Sequence, residues 1–151
     1  MIYRLMVVLM CGLGSLPAFA VDTPSIVGTW KYDGFFFENV RYPNPNPDLT
    51  LTFEFRPDGT DRLFWSRKNE TGTCERLGTY EVVQNHLKQK VTWVNPKNDS
   101  SCGLTMGEET DTEILFTKGE LWFHFNLDGK PFEYILIPMP VAGNTPESGP
   151  Q

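Results

Sequence analysis

Apolar and polar residues alternate over short stretches of this chain, which is the pattern of a β-strand with one buried face. The clearest stretch is LTLTFEF at 49–55, where every odd position is apolar and every even position is polar. The stretch 121–127 repeats the pattern and predicts an inner face made of Leu121, Phe123, Phe125 and Leu127. We expect Leu87, Val91 and Trp93 to face inward as well.

Turn residues separate these stretches. Asp33-Gly34, Asp58-Gly59 and Asp128-Gly129 each lie between apolar segments, and glycine accepts the positive φ that tight hairpin turns require. Lys118-Gly119 and Asn85 predict two further turns. The segments between them predict eight or nine strands, at 27–32, 35–42, 49–56, 62–67, 77–84, 87–94, 112–117, 121–127 and 131–137.

Strands joined by short turns form an antiparallel meander, and a meander this long leaves open edges unless it closes on itself. We therefore predict an all-β protein with little helix, in which an up-and-down meander closes into an eight- or nine-stranded barrel. A two-sheet sandwich is the alternative, but it needs more long crossing connections than this chain offers. A barrel of about eight strands is either filled by its own side chains or holds one small ligand.

Two connections are longer than the rest. Three prolines make the segment 43–48 an extended surface loop, and the segment 95–111 contains Cys102. Long loops on a rigid barrel often carry binding sites, although both could simply join strands that end at different heights.

The N-terminus has the features of an export signal over residues 1–20. Arg4 precedes an apolar run at 5–13, and Ala18-Phe19-Ala20 is a small-x-small cleavage site. A lipid attached to Cys11 is the alternative, but Val8-Leu9-Met10 lacks the small residues that such a site needs. No apolar run is long enough to span a bilayer. We expect a secreted or periplasmic protein with a barrel domain at 21–140 and a disordered tail at 141–151.

Removal of that signal would leave Cys74 and Cys102, which have one possible intramolecular pairing. Exported proteins meet an oxidising environment, so we predict a disulfide, with two unrelated thiols as the alternative.

The net charge of the chain excludes one class of partner. The 151 residues carry 13 basic and 19 acidic side chains, for a net charge of −6, while 40% are hydrophobic and 13% aromatic. A nucleic-acid binder needs positive potential, so we expect no nucleic-acid partner.

Three segments together resemble a small secreted lipocalin: IVGTW at 26–30, LTFEFRPDGT at 51–60 and GTYEV at 78–82. The Gly-x-Trp at Gly28 and Trp30 is similar to the lipocalin signature, whose tryptophan closes one end of the barrel. That resemblance implies a structural role for these two residues. Lipocalins also place an arginine from a late strand over the tryptophan, whereas the last arginine here is Arg76.

Aromatic residues supply the candidate ligand contacts. Phe35, Phe36 and Phe37 are consecutive, so on a strand at least one points away from the core. They could line a ligand portal, form a contact patch for another protein, or lie buried beneath the 43–48 loop. The full set of candidate ligand-binding residues is Phe35, Phe36, Phe37, Phe53, Phe55, Trp93, Phe123 and Phe125.

Catalytic patterns are scarce. His86 and His124 have no partner visible in the sequence, and there is no Gly-x-Ser-x-Gly, His-Glu-x-x-His or phosphate-binding glycine loop. The acidic segment 108–113 lacks the ligand spacing of a calcium loop. We expect no metal and no cofactor. Asn69 and Asn98 begin glycosylation sequons, both on predicted loops.

Three functions remain at this point. The first is a non-enzymatic carrier of a small hydrophobic molecule, and the second is an interaction or inhibitory module that uses the segments 35–48 and 95–111. The third, an enzyme, is the weakest because no nucleophile, base and metal set can be assembled. Fold class alone does not decide between them.

Overall fold

A computed structural model describes residues 25–140, which form nine β-strands and no helix. Consequently, no described helix has the length and apolarity needed to cross a bilayer. The export signal expected at 1–20 and the tail expected at 141–151 lie outside the described residues. The strands are β1 (Gly28–Phe37), β2 (Val40–Pro43), β3 (Leu49–Phe55), β4 (Thr60–Arg67), β5 (Thr73–Val83), β6 (His86–Val94), β7 (Glu109–Thr117), β8 (Glu120–Leu127) and β9 (Lys130–Pro138).

All strand pairs are antiparallel, and the sheet closes on itself. From β3 to β9 each strand pairs with the next along the chain, and β1 pairs with both β3 and β9. Eight strands therefore form the barrel, while β2 is an extra strand on β1. The prediction of a closed up-and-down barrel is confirmed, and the two-sheet alternative is wrong.

The first predicted turn is wrong. β1 continues through Asp33-Gly34, and the chain reverses instead at Glu38-Asn39, whose φ angles of 48° and 64° suit a two-residue hairpin turn. Asp33 lies at a break in the register with β9, between Tyr32 and Gly34. Asp33 is therefore the extra residue of a strand irregularity and not part of a turn.

Gly34 is required at this break because the backbone of β2 crosses close to it. A Cβ built on Gly34 would overlap the carbonyl oxygen of Tyr42 and lie 3.1 Å from backbone atoms of Pro43. Beyond β2, side-chain oxygens order the loop: Asn44 Oδ1 accepts from the Asn46 N–H at 2.9 Å.

The two ends of the barrel differ. The closed end is where β1 begins and β9 ends, and there Trp30 is 7% exposed and packs edge-on against Phe116, with ring centroids 6.0 Å apart. Ile26 covers the tryptophan from outside the strands. Trp30 therefore fills this end, with Phe116 packed against it.

The open end carries the 128–129 turn, the β1–β2 hairpin and the long loop between β6 and β7. The predicted disulfide between Cys74 and Cys102 is confirmed and ties that loop to β5. Asn98 reinforces the attachment, because its side-chain amide bonds both the N–H and the carbonyl of Glu75, at 2.8 and 2.9 Å. The loop after β2 leads to Leu49, which pairs with Arg67 where β4 ends, so both long connections expected from the sequence reach the open end.

One inward placement is wrong. Trp93 pairs with Leu77 on the outer face and is 39% exposed, because a register shift between Leu77 and Gly78 breaks the alternation after Val91. Leu127 keeps the alternation of β8 but is 53% exposed, since β8 reaches the rim of the open end there.

Candidate functional site

The open half of the barrel contains a cavity of about 190 Å³, which we call the inner cavity. Its walls come from strands β3 to β9 and from the loop that the disulfide holds. The lining residues are Phe53, Leu63, Arg76, Gln89, Val91, Leu104, Glu108, Thr110, Thr112, Phe123, Phe125 and Tyr134. One end of the barrel is therefore filled and the other is hollow.

Aromatic side chains form the apolar wall. Phe53 and Phe123 meet edge to face with ring centroids 5.2 Å apart, and both are buried. Phe125 packs edge-on against Tyr134 at the same separation. Rings locked in this way present a stable surface to an apolar ligand.

The opposite wall is polar at Arg76 and Gln89, and a buried ion pair between Arg76 and Asp61 lies behind it. Arg76 is 5% exposed and Asp61 is fully buried, and the Arg76 Nη1 atom lies 2.7 Å from Asp61 Oδ2. Gln89 Nε2 donates to the same carboxylate oxygen at 2.6 Å. A buried charge is tolerated when it is paired and hydrogen-bonded, as Asp61 is here.

Gly78 makes room for this pair. A Cβ at Gly78 would overlap Asp61 Oδ1 and lie 2.9 Å from Arg76 Nη1. Every other residue type has a Cβ that would occupy this space, so glycine is required beside the two charged groups.

The inner cavity adjoins an outer depression of about 330 Å³, and the two share Phe125 and Tyr134 in their linings. Around this opening Phe35 stacks on Tyr42 and on Phe132, with ring centroids 5.0 and 5.2 Å apart. We call the residues Phe35, Phe37, Tyr42, Phe132 and Tyr134 the aromatic rim.

The sequence-derived candidates separate into four places. Phe53, Phe123 and Phe125 line the inner cavity. Phe55 is instead buried in the core, where its ring centroid lies 5.1 Å from that of Tyr80. Phe35 and Phe37 belong to the aromatic rim. Phe36 and Trp93 take no part in the cavity: Phe36 packs on Trp122 of the outer face, so the expectation that one member of the triplet points away holds.

Sequence reasoning missed the polar members of the site, above all Arg76 and Gln89. A signal existed for Arg76: Gly78, Tyr80 and Val82 alternate with outward residues on β5, and extending that alternation backward places Arg76 inward. A charged residue at an inner position of a barrel is a candidate ligand contact for that reason.

Within residues 25–140, the buried Tyr32 and the two histidines all lie outside the lining of the inner cavity. Burial, with a smaller effect of the neighbouring Tyr134, raises the pKa of Tyr32 to about 12, so its phenol stays protonated near neutral pH. His86 and His124 each contact a carboxylate, Asp111 at 2.7 Å and Glu133 at 3.2 Å, but neither histidine lines the inner cavity.

A wider groove of about 540 Å³ follows β5, β6 and β7. Exposed charged residues dominate its walls, among them Glu81, Lys88 and Glu109. It lacks a wall of packed rings, so it is a poorer ligand site than the inner cavity.

A closed antiparallel barrel of eight strands, with an internal tryptophan at one end and a cavity at the other, is a lipocalin-like barrel. A lipocalin-like protein from Bacteroides uniformis is similar to this chain with a TM-score of 0.50 and 12% identity, over 75% of this chain and 97% of that one. An uncharacterised protein from Bacteroides eggerthii gives a TM-score of 0.48 and 14% identity, over 75% and 98%. The sequence matches no protein-family model and no curated protein.

Proposed function

We propose that this protein is a secreted or periplasmic, non-enzymatic carrier that binds a small, largely apolar molecule in the inner cavity. The observation that carries this proposal is the cavity itself, with Phe53, Phe123 and Phe125 on one side and Arg76 with Gln89 on the other. Apolar walls with a few convergent polar groups are typical of ligand sites. The disulfide supports an oxidising location.

Size limits the ligand. An apolar cavity of about 150 Å³ accepts benzene, so 190 Å³ suits one ring or a short chain. A larger molecule would extend past Phe125 into the outer depression and contact the aromatic rim.

The proposal is tested by titrating the protein with the neutral fluorescent probe N-phenyl-1-naphthylamine, whose emission rises in an apolar site. With three rings it is a ligand of the larger kind, with one part in the inner cavity and the rest in the outer depression. Val91 is buried and lines the inner cavity, so Val91→Phe fills part of that space. The neighbouring Thr92 is exposed, and Thr92→Phe adds a ring outside the cavity as the matched control.

We expect the Val91→Phe variant to bind the probe at least about tenfold more weakly and the Thr92→Phe variant to bind it as the unaltered protein does. Equal binding by all three proteins would locate the probe elsewhere and contradict the proposal. If Val91→Phe weakens probe binding as expected, native mass spectrometry of protein taken from its host identifies the retained molecule.

The exposed part of the open end favours a second candidate function, that of an interaction module using the segments 35–48 and 95–111. Val40 is 48% exposed and Tyr42 is 40% exposed, beside the rings of the aromatic rim. Exposed apolar patches often contact proteins. If Val40→Ser with Tyr42→Ser abolishes capture of a partner while Val91→Phe leaves that capture intact, the rim is the functional surface.

A further inference from the structure

We infer that the ligand of the inner cavity is a small organic monocarboxylate, whose carboxylate is bound by Arg76. This inference rests on the carrier function proposed above and adds the chemistry of the ligand. Three observations carry it: the free donors of Arg76, the enclosure of Asp61 and the apolar wall opposite.

Arg76 has hydrogen-bonding capacity left over. Its guanidinium has five N–H donors, and within residues 25–140 its side chain makes one hydrogen bond, from Nη1 to Asp61 Oδ2. The remaining donors are not sealed in protein, since the two fully enclosed and unpaired side-chain polar atoms in those residues are Asp61 Oδ1 and Arg67 Nε. Arg76 lines the inner cavity, and we assign its free N–H groups to that space.

The carboxylate of Asp61 is enclosed and cannot bind the ligand of the inner cavity. Asp61 is 0% exposed and does not belong to the cavity wall, and its Oδ1 atom lies against Gly78. Arg76 is thus the charged group that the inner part of the cavity presents to a ligand. A planar guanidinium matches a carboxylate geometrically, with two parallel N–H···O bonds.

The rest of the cavity wall favours a ligand that has one negative charge and an otherwise apolar body. Arg76 already shares its charge with the Asp61 carboxylate, so each negative charge on the ligand adds to the net negative charge of the site, and one carboxylate costs less than two. Glu108, the other charged residue of the lining, is exposed at the mouth and would repel a second negative group. Phe53 and Phe123 face the position of the ligand's apolar part.

The test uses 3-phenylpropanoate and its neutral isostere 3-phenylpropanamide, each titrated by calorimetry. Arg76→Gln alone would leave Asp61 buried without its cation, so the test variant is Arg76→Gln with Asp61→Asn. The control removes a matched ion pair from the outer wall, Arg56→Gln with Glu54→Gln, whose charged atoms are 2.8 Å apart.

We expect the unaltered protein and the outer-wall variant to bind the acid more tightly than the amide. In the Arg76 and Asp61 double variant the acid should bind about tenfold more weakly, as for loss of a charge-assisted hydrogen bond, while the amide changes less than about twofold. Circular dichroism confirms that each variant is folded before titration.

Two results overturn the inference: no preference for the acid in the unaltered protein, or equal effects of the double variant on acid and amide. Either result leaves the carrier function standing if Val91→Phe still weakens binding of the neutral naphthylamine probe at least about tenfold. Failure of that probe experiment instead removes the proposed function itself.

Discussion

The indole Nε1 of Trp30 donates a hydrogen bond of 2.8 Å to the carbonyl oxygen of Ile26, four residues earlier in the chain. This bond satisfies the one polar group of a buried ring and holds Ile26, which is 3% exposed, over the closed end of the barrel. The segment before the first strand is thereby part of the core.

Trp30→Ala should lower the free energy of unfolding by about 3–5 kcal/mol, the usual cost of removing a large buried aromatic side chain. Urea unfolding measures the loss. Trp93→Ala is the matched control, because Trp93 lies on the outer face, and its cost should stay below about 1 kcal/mol. A similar cost at both positions would mean that Trp30 does not close the barrel.

The ion pair inside the barrel predicts a non-additive pair of substitutions. Arg76→Gln should cost about 3–5 kcal/mol, because it leaves the Asp61 carboxylate buried without its cation. Adding Asp61→Asn should restore more than about 1 kcal/mol of that loss. Denaturant unfolding of both single variants and the double variant completes the cycle, and additive costs would show that the two groups are not coupled.

The sequence predicted the barrel because its strands and turns are local features. Alternation at 49–55 and glycine at Gly59, Gly119 and Gly129, each with φ near 80°, fix strand faces and turns without help from the rest of the chain. Asp33-Gly34 misled the prediction because its glycine serves a close approach of β2, which is a tertiary requirement.

The site was predicted in part for the same reason. Phe53, Phe123 and Phe125 follow from alternation within single strands. The register shift beside Gly78 turned Trp93 outward, and no local pattern in β6 reveals it. The pairing of Arg76 with Asp61 joins residues 15 positions apart, on strands whose relative register a single sequence leaves open.

Gly34 and Gly103 provide a test of the close approach by β2. Gly34→Ala should destabilise the protein by about 1–3 kcal/mol, since its new methyl group would overlap the Tyr42 carbonyl and force the hairpin to move. Gly103→Ala should be nearly neutral, because nothing lies within 4 Å of a Cβ there. Thermal unfolding of the two variants compares them, and a neutral Gly34→Ala would contradict the observed packing.

Reduction of the disulfide should destabilise the protein and also loosen the loop between β6 and β7, which forms part of the wall of the inner cavity. The bond joins cysteines 28 positions apart, which corresponds to about 3–4 kcal/mol in the chain-entropy treatment. Leu104 lies two residues beyond Cys102 and lines the cavity, so probe binding should weaken as well. Unfolding is measured with and without reductant, and the variant Cys74→Ser with Cys102→Ser, which reductant should not affect, is the control.

Acid sensitivity should depend on Glu75, which joins β4, β5 and the loop after β6. Its carboxylate accepts hydrogen bonds from Arg62 Nε at 2.6 Å and from Asn95 Nδ2 at 3.0 Å. These bonds, that of Arg62 above all, hold the pKa of Glu75 below its ordinary value of 4.5.

A lowered pKa means that the unfolded chain takes up the proton more readily than the folded protein. The stabilisation by Glu75 is therefore fully present above the unfolded-state pKa and is lost as the pH falls through the folded-state value. Glu75→Gln should lower stability at pH 7 and reduce the further loss that the protein suffers on acidification below about pH 4.5. Glu81→Gln is the control, since that carboxylate is 66% exposed and 4.0 Å from Lys88, a contact that stabilises little. Urea midpoints measured from pH 7 to pH 3 give both slopes, and parallel curves for Glu75→Gln and the unaltered protein would exclude Glu75 as a source of the acid sensitivity.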